Sequence, residues 1–362
     1  GALYMAQERY DLAQDQYQRS LALATELEDT LVRARALHAL GNVAYYKGLY
    51  KQAQERYRQS LALEESLGDK LGIAANWHAL GMTFHDQGKY VQAREHYLRS
   101  LELEEAAGDK QSAAATLHQL GNVDAAQGDY AAAQQHYDRS LQLAKEVNDH
   151  SGISATLHQL GVLCQNQGDY VQAQQYYDRS LQIAQELGDR AGVAATLHQL
   201  GLIHADRGDY IQARRYFAYS LRIREGLGDK LGIGRSLQEL GSIHLLRGEY
   251  DQARAYYQRS LSLAESLGDK HGVARILHQL GMIAHNRGNY ETAQEYYLRS
   301  LGIQGALGEK LGIAHTLHQL GMVFHAQGNY PEAEGYYRRS LVIEEDLNDQ
   351  RGMAATLHQL GL

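Results

Sequence analysis

Apolar residues along the chain fall at spacings of three and four, which line up one face of a helix, and the pattern restarts at fixed intervals. Between Asp189 and Leu227, Val193, Leu197, Leu200 and Gly201 mark one such face. Gly208-Asp209 interrupts it, and Tyr210, Ala213, Phe217, Ser220, Leu221 and Leu227 mark a second. Asp189 is a good N-cap for the first helix. Gly228 supplies the left-handed residue that ends the second. At that position the other blocks carry Gly68, Gly108, Asn148, Gly188, Gly268, Gly308 and Asn348, types that tolerate positive φ, and Glu28 alone departs. The single proline, Pro331, follows Asn329-Tyr330, where a second helix is expected to open and a first-turn proline is tolerated.

This two-helix unit recurs every 40 residues. Gly1, Gly41 and Gly81 begin a series that reaches Gly361; Tyr10 begins one that reaches Tyr330; Ser20-Leu21 recurs as far as Ser340-Leu341. A fixed period of roughly 20–50 residues is the signature of a solenoid, whose units bury their apolar faces only against their neighbours. The fold class expected is therefore all-α, a stack of antiparallel helix pairs forming one array over 1–362. A partial repeat (1–29) precedes eight full pairs (about 30–348), and a second partial repeat (349–362) follows. Leu40, Leu80, Leu120 and Leu160, with Tyr17, Tyr57 and Tyr97 and their successors, are the expected core. Trp77, which stands where leucine is usual, and the lone Cys164 are read as core residues too, the thiol being buried and inert.

The run Leu-x-x-Leu-Gly, Gly-x-Tyr-x-x-Ala, Tyr-x-x-Ser-Leu resembles the tetratricopeptide repeat; in one block it is carried by Leu197, Leu200, Gly201, Gly208, Tyr210, Ala213, Phe217, Ser220 and Leu221. The usual repeat has about 34 residues. The longer unit here, extended around turns such as Leu187-Gly188-Asp189-Arg190, is similar to those of the LGN/Pins and kinesin light chain families. It is also similar to the repeats at the C-terminal end of bacterial signal-transducing ATPases of the STAND class, including the maltose-regulon activator. The resemblance implies a right-handed superhelix, with first helices lining a concave groove and second helices forming the convex wall. It also implies a protein or peptide bound in that groove, with no chemistry of the array's own. Asn42 and Asn122 match the Leu-Gly-Asn of the LGN family, whose asparagine helps hold peptide; other blocks carry Met, Val, Leu or Ser there.

Helix phase places one histidine per repeat on the groove wall: His38, His78, His118, His158, His198, His278 and His318, with Gln238 the exception before His358. The positions three before it and four, seven and eight after it share that wall and vary from block to block. They supply the remaining candidate contacts: Asn42, Tyr45, His85, Asn122, Asn166, Arg235, Leu245, Leu246, Arg275, His285 and His325. Variable positions on a regular scaffold are where a partner would be read, although unselected surface varies as well. The block after 201 departs most, with Tyr219, Gln238-Glu239, Leu245-Leu246 and the glycines Gly232 and Gly234; it reads as a hot spot around Arg235, a slight hinge, or drift.

Three readings fit the histidines. A metal is disfavoured, because packed helices lie roughly 8–10 Å apart and metal–ligand bonds are about 2 Å; His315 and His318 share a face but lack an evident third ligand. A pH switch follows if each imidazole titrates near its unperturbed value of about 6.5. The preferred reading is structural, each ring hydrogen-bonding locally at the repeat junction.

Composition narrows the function classes. The chain has 362 residues, 44% apolar and 22% charged, and a net charge of −8, which argues against nucleic-acid binding. No apolar run is long enough for a membrane span. One cysteine fits a reducing compartment, hence a cytoplasmic setting. Walker loops, Gly-x-Ser-x-Gly, His-Glu-x-x-His and Cys-x-x-Cys are absent, so neither catalysis nor a cofactor is expected. Glu64-Glu65 and Glu104-Glu105 are read as solvated surface on the second helices. Ala2 and Leu362 hold the same repeat position, so the chain is expected to be a piece of a longer signalling protein with an upstream ATPase or effector. Its uncapped ends are expected to stack head to tail. Three functions compete: a peptide-binding scaffold, a small-molecule sensor of a STAND-type regulator, or a structural spacer that binds no ligand.

Overall fold

In the computed structural model, which describes residues 1–7 and 9–361, the aspartates ahead of the first helices do cap them. The Asp149 carboxylate accepts from Gly152 N at 2.9 Å, and Asp269 accepts from Gly272 N at 2.8 Å. Several second helices open the same way, as where Asp169 accepts from Gln172 N. At the other end, Gly68 and Gly228 take φ of +71°. Glu28, the expected exception, adopts the same left-handed backbone at φ +55°, so the turn geometry overrides the residue's preference. Pro331 occupies the first turn of its helix.

The chain divides into two compact units, 1–192 and 193–362. The first contains α1 (Ala2–Ala6), α2 (Tyr10–Glu26), α3 (Thr30–Tyr46), α4 (Tyr50–Leu67), α5 (Lys70–Asp86), α6 (Tyr90–Ala107), α7 (Lys110–Ala126), α8 (Tyr130–Glu146), α9 (His150–Asn166) and α10 (Tyr170–Leu187). Helix α11 (Arg190–Asp206) crosses the boundary. The second unit continues with α12 (Tyr210–Leu227), α13 (Lys230–Leu246), α14 (Tyr250–Leu267), α15 (Lys270–Asn286), α16 (Tyr290–Leu307), α17 (Lys310–Ala326), α18 (Tyr330–Asp346) and α19 (Gln350–Leu360). Among the described residues there is no strand, and none of the helices is long and apolar enough to cross a membrane. Within each unit, helices consecutive in the chain pack on one another, and neighbouring first helices also touch, as α5 does α7 and α15 does α17. Each unit is thus an all-α repeat solenoid. Leu362 lies outside the described residues.

The glycine that follows each Leu-x-x-Leu is a packing requirement. A Cβ on Gly121 would lie 2.5 Å from the Tyr137 ring, and one on Gly281 would lie 2.6 Å from Tyr297. The bare helix surface lets the tyrosine of the second helix lie flat against the first, and Tyr97, Tyr137, Tyr177 and Tyr297 are all buried. Burying each such side chain contributes roughly 1.5–3 kcal/mol. The serine of Ser-Leu ties the pair together, since Ser100 and Ser140 each donate to a first-helix carbonyl, Ala74 O and Ala114 O, at 2.7 Å.

Glu64 and Glu104 are not solvated surface. Glu104 is 2% exposed, and Glu64 and Glu344 are buried with it, while Glu65 and Glu105 are exposed as expected. The face Tyr97, Ser100, Leu101 continues in helical phase to residue 104, so the first carboxylate of each pair turns inward. Trp77 is half-buried and stacks on His96 at 5.2 Å, with the Arg99 guanidinium 4.8 Å from its ring. Cys164 is buried, and that burial raises its thiol pKa.

Candidate functional site

The histidines from His38 to His318 sit at the junctions between repeats and are partly buried, while His358 is exposed. Each ring packs on the aromatic residue of its own second helix, 5.3 Å from Tyr97 for His78 and 5.4 Å from Tyr177 for His158. Its Nδ1 reaches a polar side chain 38 residues on, in the next first helix. In the first unit the rungs are His38–Asn76 (3.0 Å), His78–Thr116 (2.8 Å) and His118–Thr156 (3.1 Å). In the second they are His278–Thr316 (3.1 Å) and His318–Thr356 (2.9 Å). Thr116 donates its own proton to Glu104 Oε1 at 3.0 Å, so the His78 Nδ1 in that rung carries the hydrogen. Gln304 and Glu344 receive Thr316 and Thr356 in the same way.

Two successive rungs are missing in the second unit. His198 Nδ1 and Ser236 Oγ are both buried without a hydrogen-bond partner. At the next rung Gln238 replaces the histidine and the buried Ile276 replaces the threonine, so donor and acceptor are lost together. Gln238 turns instead to Gly234 O at 3.3 Å.

A cleft of about 320 Å³ opens at this gap. His198, Arg235, Gln238 and Glu239 line one side, and Arg275 and Gln279 the other. Arg235 and Arg275 hold the same repeat position on α13 and α15; both are exposed and neither joins an ion pair among the described residues. Burial raises the Glu239 carboxyl, and the nearby Arg275 partly opposes that. A second cleft of about 470 Å³ shares Arg275 and adds His271, His278, Gln304 and His315. The Gly232 expected as a hinge is instead room made for Arg224, whose guanidinium a Cβ there would strike; α13 runs through without a break.

The first unit has a larger cleft of about 590 Å³. It is lined by His38, Asn42, Tyr45, Tyr46, His78, Met82 and Glu104, over an alanine-rich floor. Asn42 Oδ1 accepts from Tyr57 Oη at 2.7 Å, and Asn122 Oδ1 does the same for Tyr137, so these asparagines spend one polar end inside their own repeats. Where methionine replaces asparagine, at Met82, Met282 and Met322, the facing Tyr97, Tyr297 and Tyr337 hydroxyls are buried without a partner.

These clefts bring together His38, Asn42, Tyr45 and His78 in the first unit, and His198, Arg235, Arg275 and His278 in the second. They do not include the other expected contacts: His118, Asn122, His158, Asn166, His318, Leu245, Leu246, His85, His285 and His325. Leu245 is half-buried against the core cluster that contains Tyr257, Leu246 is 64% exposed, and His85, His285 and His325 rest against Tyr90, Tyr290 and Tyr330. Glu239 and Gln279, one residue past the histidine position, were not among the expected contacts. The recurrence of glutamine at that position (Gln119, Gln159, Gln199) was the available signal.

The environment also corrects the pH-switch reading. Burial lowers His118 and His158 to about 4, and the same cause brings His78, His198 and His278 to about 4. The imidazoles therefore stay neutral through the physiological range. No group of three or more His, Cys, Asp or Glu side chains able to hold a metal occurs among the described residues.

The model of the tetratricopeptide repeat matches residues 1–66, 72–150, 152–226, 232–306 and 272–346. The chain belongs to the tetratricopeptide repeat family. No curated protein matches it. Among solved structures, it is similar to a STAND protein with a tetratricopeptide repeat sensor from Pyrococcus horikoshii (TM-score 0.72, 12% identity, 95% of this chain and 55% of that one). It is similar to the apo quorum sensor NprR from B. thuringiensis (TM-score 0.65, 15% identity, 93% and 99%). It is also similar to BtubC from P. vanneervenii (TM-score 0.54, 20% identity, 60% and 92%). At these identities the likeness is one of fold.

Proposed function

We propose that this tetratricopeptide repeat chain is a non-enzymatic recognition scaffold of a larger signalling protein, binding an extended protein or peptide segment along the faces of its first helices. The observation that carries the reading is the gap in the histidine ladder, where two rungs are lost and a cleft flanked by two unpaired guanidiniums takes their place. Regular packing does not need the loss; at the position of the two arginines Ala75, Ala115 and Ala155 are alanine in the first unit, whereas Arg35 stands there beside an intact rung. Guanidiniums in such a cleft favour an acidic side chain or carboxylate of the bound segment. Structural relatives support the class: NprR is a quorum sensor, and a Rap protein of similar fold (TM-score 0.56) has been solved in complex with Competence and Sporulation Factor. A cytoplasmic setting, suggested by the lone buried thiol, is part of the proposal.

The test is fluorescence anisotropy with a labelled, glutamate-rich peptide. Arg235→Glu combined with Arg275→Glu should weaken binding by tenfold or more. Arg259→Glu, on α14 and already paired with Glu225, should leave it unchanged. Equal binding by both variants overturns the reading. A second reading, a sensor of a small ligand, draws on the size of the first-unit cleft, which falls within the volumes typical of small-molecule sites.

A further inference from the structure

The first-unit cleft differs in chemistry from the arginine-flanked one. Among the described residues that line it there is no lysine or arginine, while Glu104 and Asp109 supply carboxylates at one end. Its histidines contribute no opposing charge, since burial lowers both His38 and His78. At the other end stands a group of tyrosines found in no other repeat. Residues 45 and 46 are both tyrosine, where the later blocks carry His-Asp, Ala-Ala, Gln-Asn, Ala-Asp, Leu-Leu, His-Asn and His-Ala.

These tyrosines are held in place. Tyr46 is 58% exposed, yet Tyr10 stacks on it at 5.9 Å with ring planes 2° apart, and Tyr45 meets it edge-to-face at 5.3 Å. Tyr45 in turn donates its hydroxyl to Asp86 Oδ2 at 2.6 Å, which fixes a carboxylate beside the rings. Between the two ends lie Ala39, Ala74, Ala75, Ala79 and Met82. At the opposite end Glu104 is buried and lines the cleft; Ser100 and Thr116 satisfy its Oε1, and its Oε2, like those of Glu64 and Glu344, has no partner.

We propose that this cleft binds a lysine or arginine side chain of a partner segment. The cation lies against the Tyr45–Tyr46 rings and Asp86, and the aliphatic stem lies on the alanine floor. A cation is attracted to the negative face of a tyrosine ring, and the attraction grows when the site is partly shielded from water. Rings that are already braced lose little freedom on binding. An apolar floor ending in an anionic, aromatic rim matches a long basic side chain, apolar along its length and charged at the tip. An acidic side chain would meet three carboxylates, Glu104, Asp109 and Asp86, and no cation.

The inference rests on the reading that first-helix faces bind peptide, and adds the charge that the first unit selects. The test uses the full chain and two labelled, amidated alanine peptides, one carrying lysines and one carrying glutamates. Tyr46→Ala combined with Asp86→Asn should weaken the lysine peptide by about tenfold and leave the glutamate peptide unchanged. Tyr45→Phe, which keeps the ring but frees Asp86, should cost a smaller factor. Added salt should weaken the lysine peptide further. Both substituted side chains are exposed, so melting curves should stay close to the parent's, lowered only by the lost Tyr10–Tyr46 stack and Tyr45–Asp86 bond. If the lysine peptide binds the double variant as well as the parent, while Arg235→Glu/Arg275→Glu still loses the glutamate peptide, this inference falls and the broader function stands. If neither peptide binds the parent chain, both fall.

Discussion

In the first unit three histidines in succession reach across to the next repeat, His38 to Asn76, His78 to Thr116 and His118 to Thr156. In the second unit His198 faces an unbonded Ser236, Gln238 faces Ile276, and bonding resumes only at His278. The scaffold beneath is the same: buried tyrosine or phenylalanine, glycine under the ring, serine on the carbonyl. The difference therefore isolates what the ladder does. An intact rung fills the space between first helices with a neutral, satisfied imidazole. A lost rung leaves room and unpaired polar atoms between the first helices.

The largest consequence is in acid. A histidine in the unfolded chain titrates near 6.5, whereas five of the ladder histidines are held at about 4 in the folded protein. Between those values the unfolded chain takes up protons that the folded chain refuses, so stability must fall as pH drops through this window. Glu64, Glu104 and Glu239 act with the opposite sign, because burial raises all three and folding then favours their protonated forms. Five histidines held at about 4 outnumber the three raised carboxyls. Urea midpoints should fall steadily from pH 7 to pH 4.5. Copying the gap into the first unit, with His118→Gln and Thr156→Ile, should reduce that slope. An unchanged slope would mean that the imidazoles are not what the acid attacks.

A second effect probes how tightly each region is packed. A Cβ at Gly121 would lie 2.5 Å from Tyr137, but at Gly241, beside the gap, the nearest tyrosine atoms are 3.0 Å away. Overpacking a core typically costs about 1–3 kcal/mol. Gly121→Ala should fall in that range and Gly241→Ala well below it, read from paired thermal melts. Equal losses would remove the claim that the gap is the slacker junction.

The fold was legible because one period carried every signal at once: cap, apolar face, glycine and turn. Even Glu28 conforms, since its neighbours fix the turn. The clefts were legible only in part. Arg235 and Arg275 depart, as Arg35 and His315 do, from the alanine common in their column, and Tyr45 is placed by phase. The inward turn of Glu104 was not read, because an acidic pair on an outer helix resembles solvated surface until the phase from Tyr97 is followed one step further. The rungs were hidden for another reason. A bond spanning 38 residues links two columns of the repeat, and neither column alone says that they meet. Threonine at 116, 156, 196, 316 and 356 was the trace, with Ile276 opposite Gln238 as its counterpart.

The smallest effect tests the gap from within. Ser236 differs from the threonine of an intact rung by one methyl group, and its hydroxyl and the His198 Nδ1 are both buried and unbonded. Leaving buried polar groups unmatched is costly, and restoring one hydrogen bond contributes about 1 kcal/mol. The methyl group limits the χ1 choices of the residue and so helps aim its hydroxyl along the direction Thr116 uses. Ser236→Thr should therefore raise stability by about 0.5–1 kcal/mol. Thr156→Val, which strips His118 of its hydrogen-bond partner, should lower it by a similar amount. Because the cleft exists where the rung is absent, Ser236→Thr should also weaken the glutamate peptide at Arg235 and Arg275. A variant that gains stability yet binds as before would show that the opening between α13 and α15 is set by Gln238 and Ile276 alone.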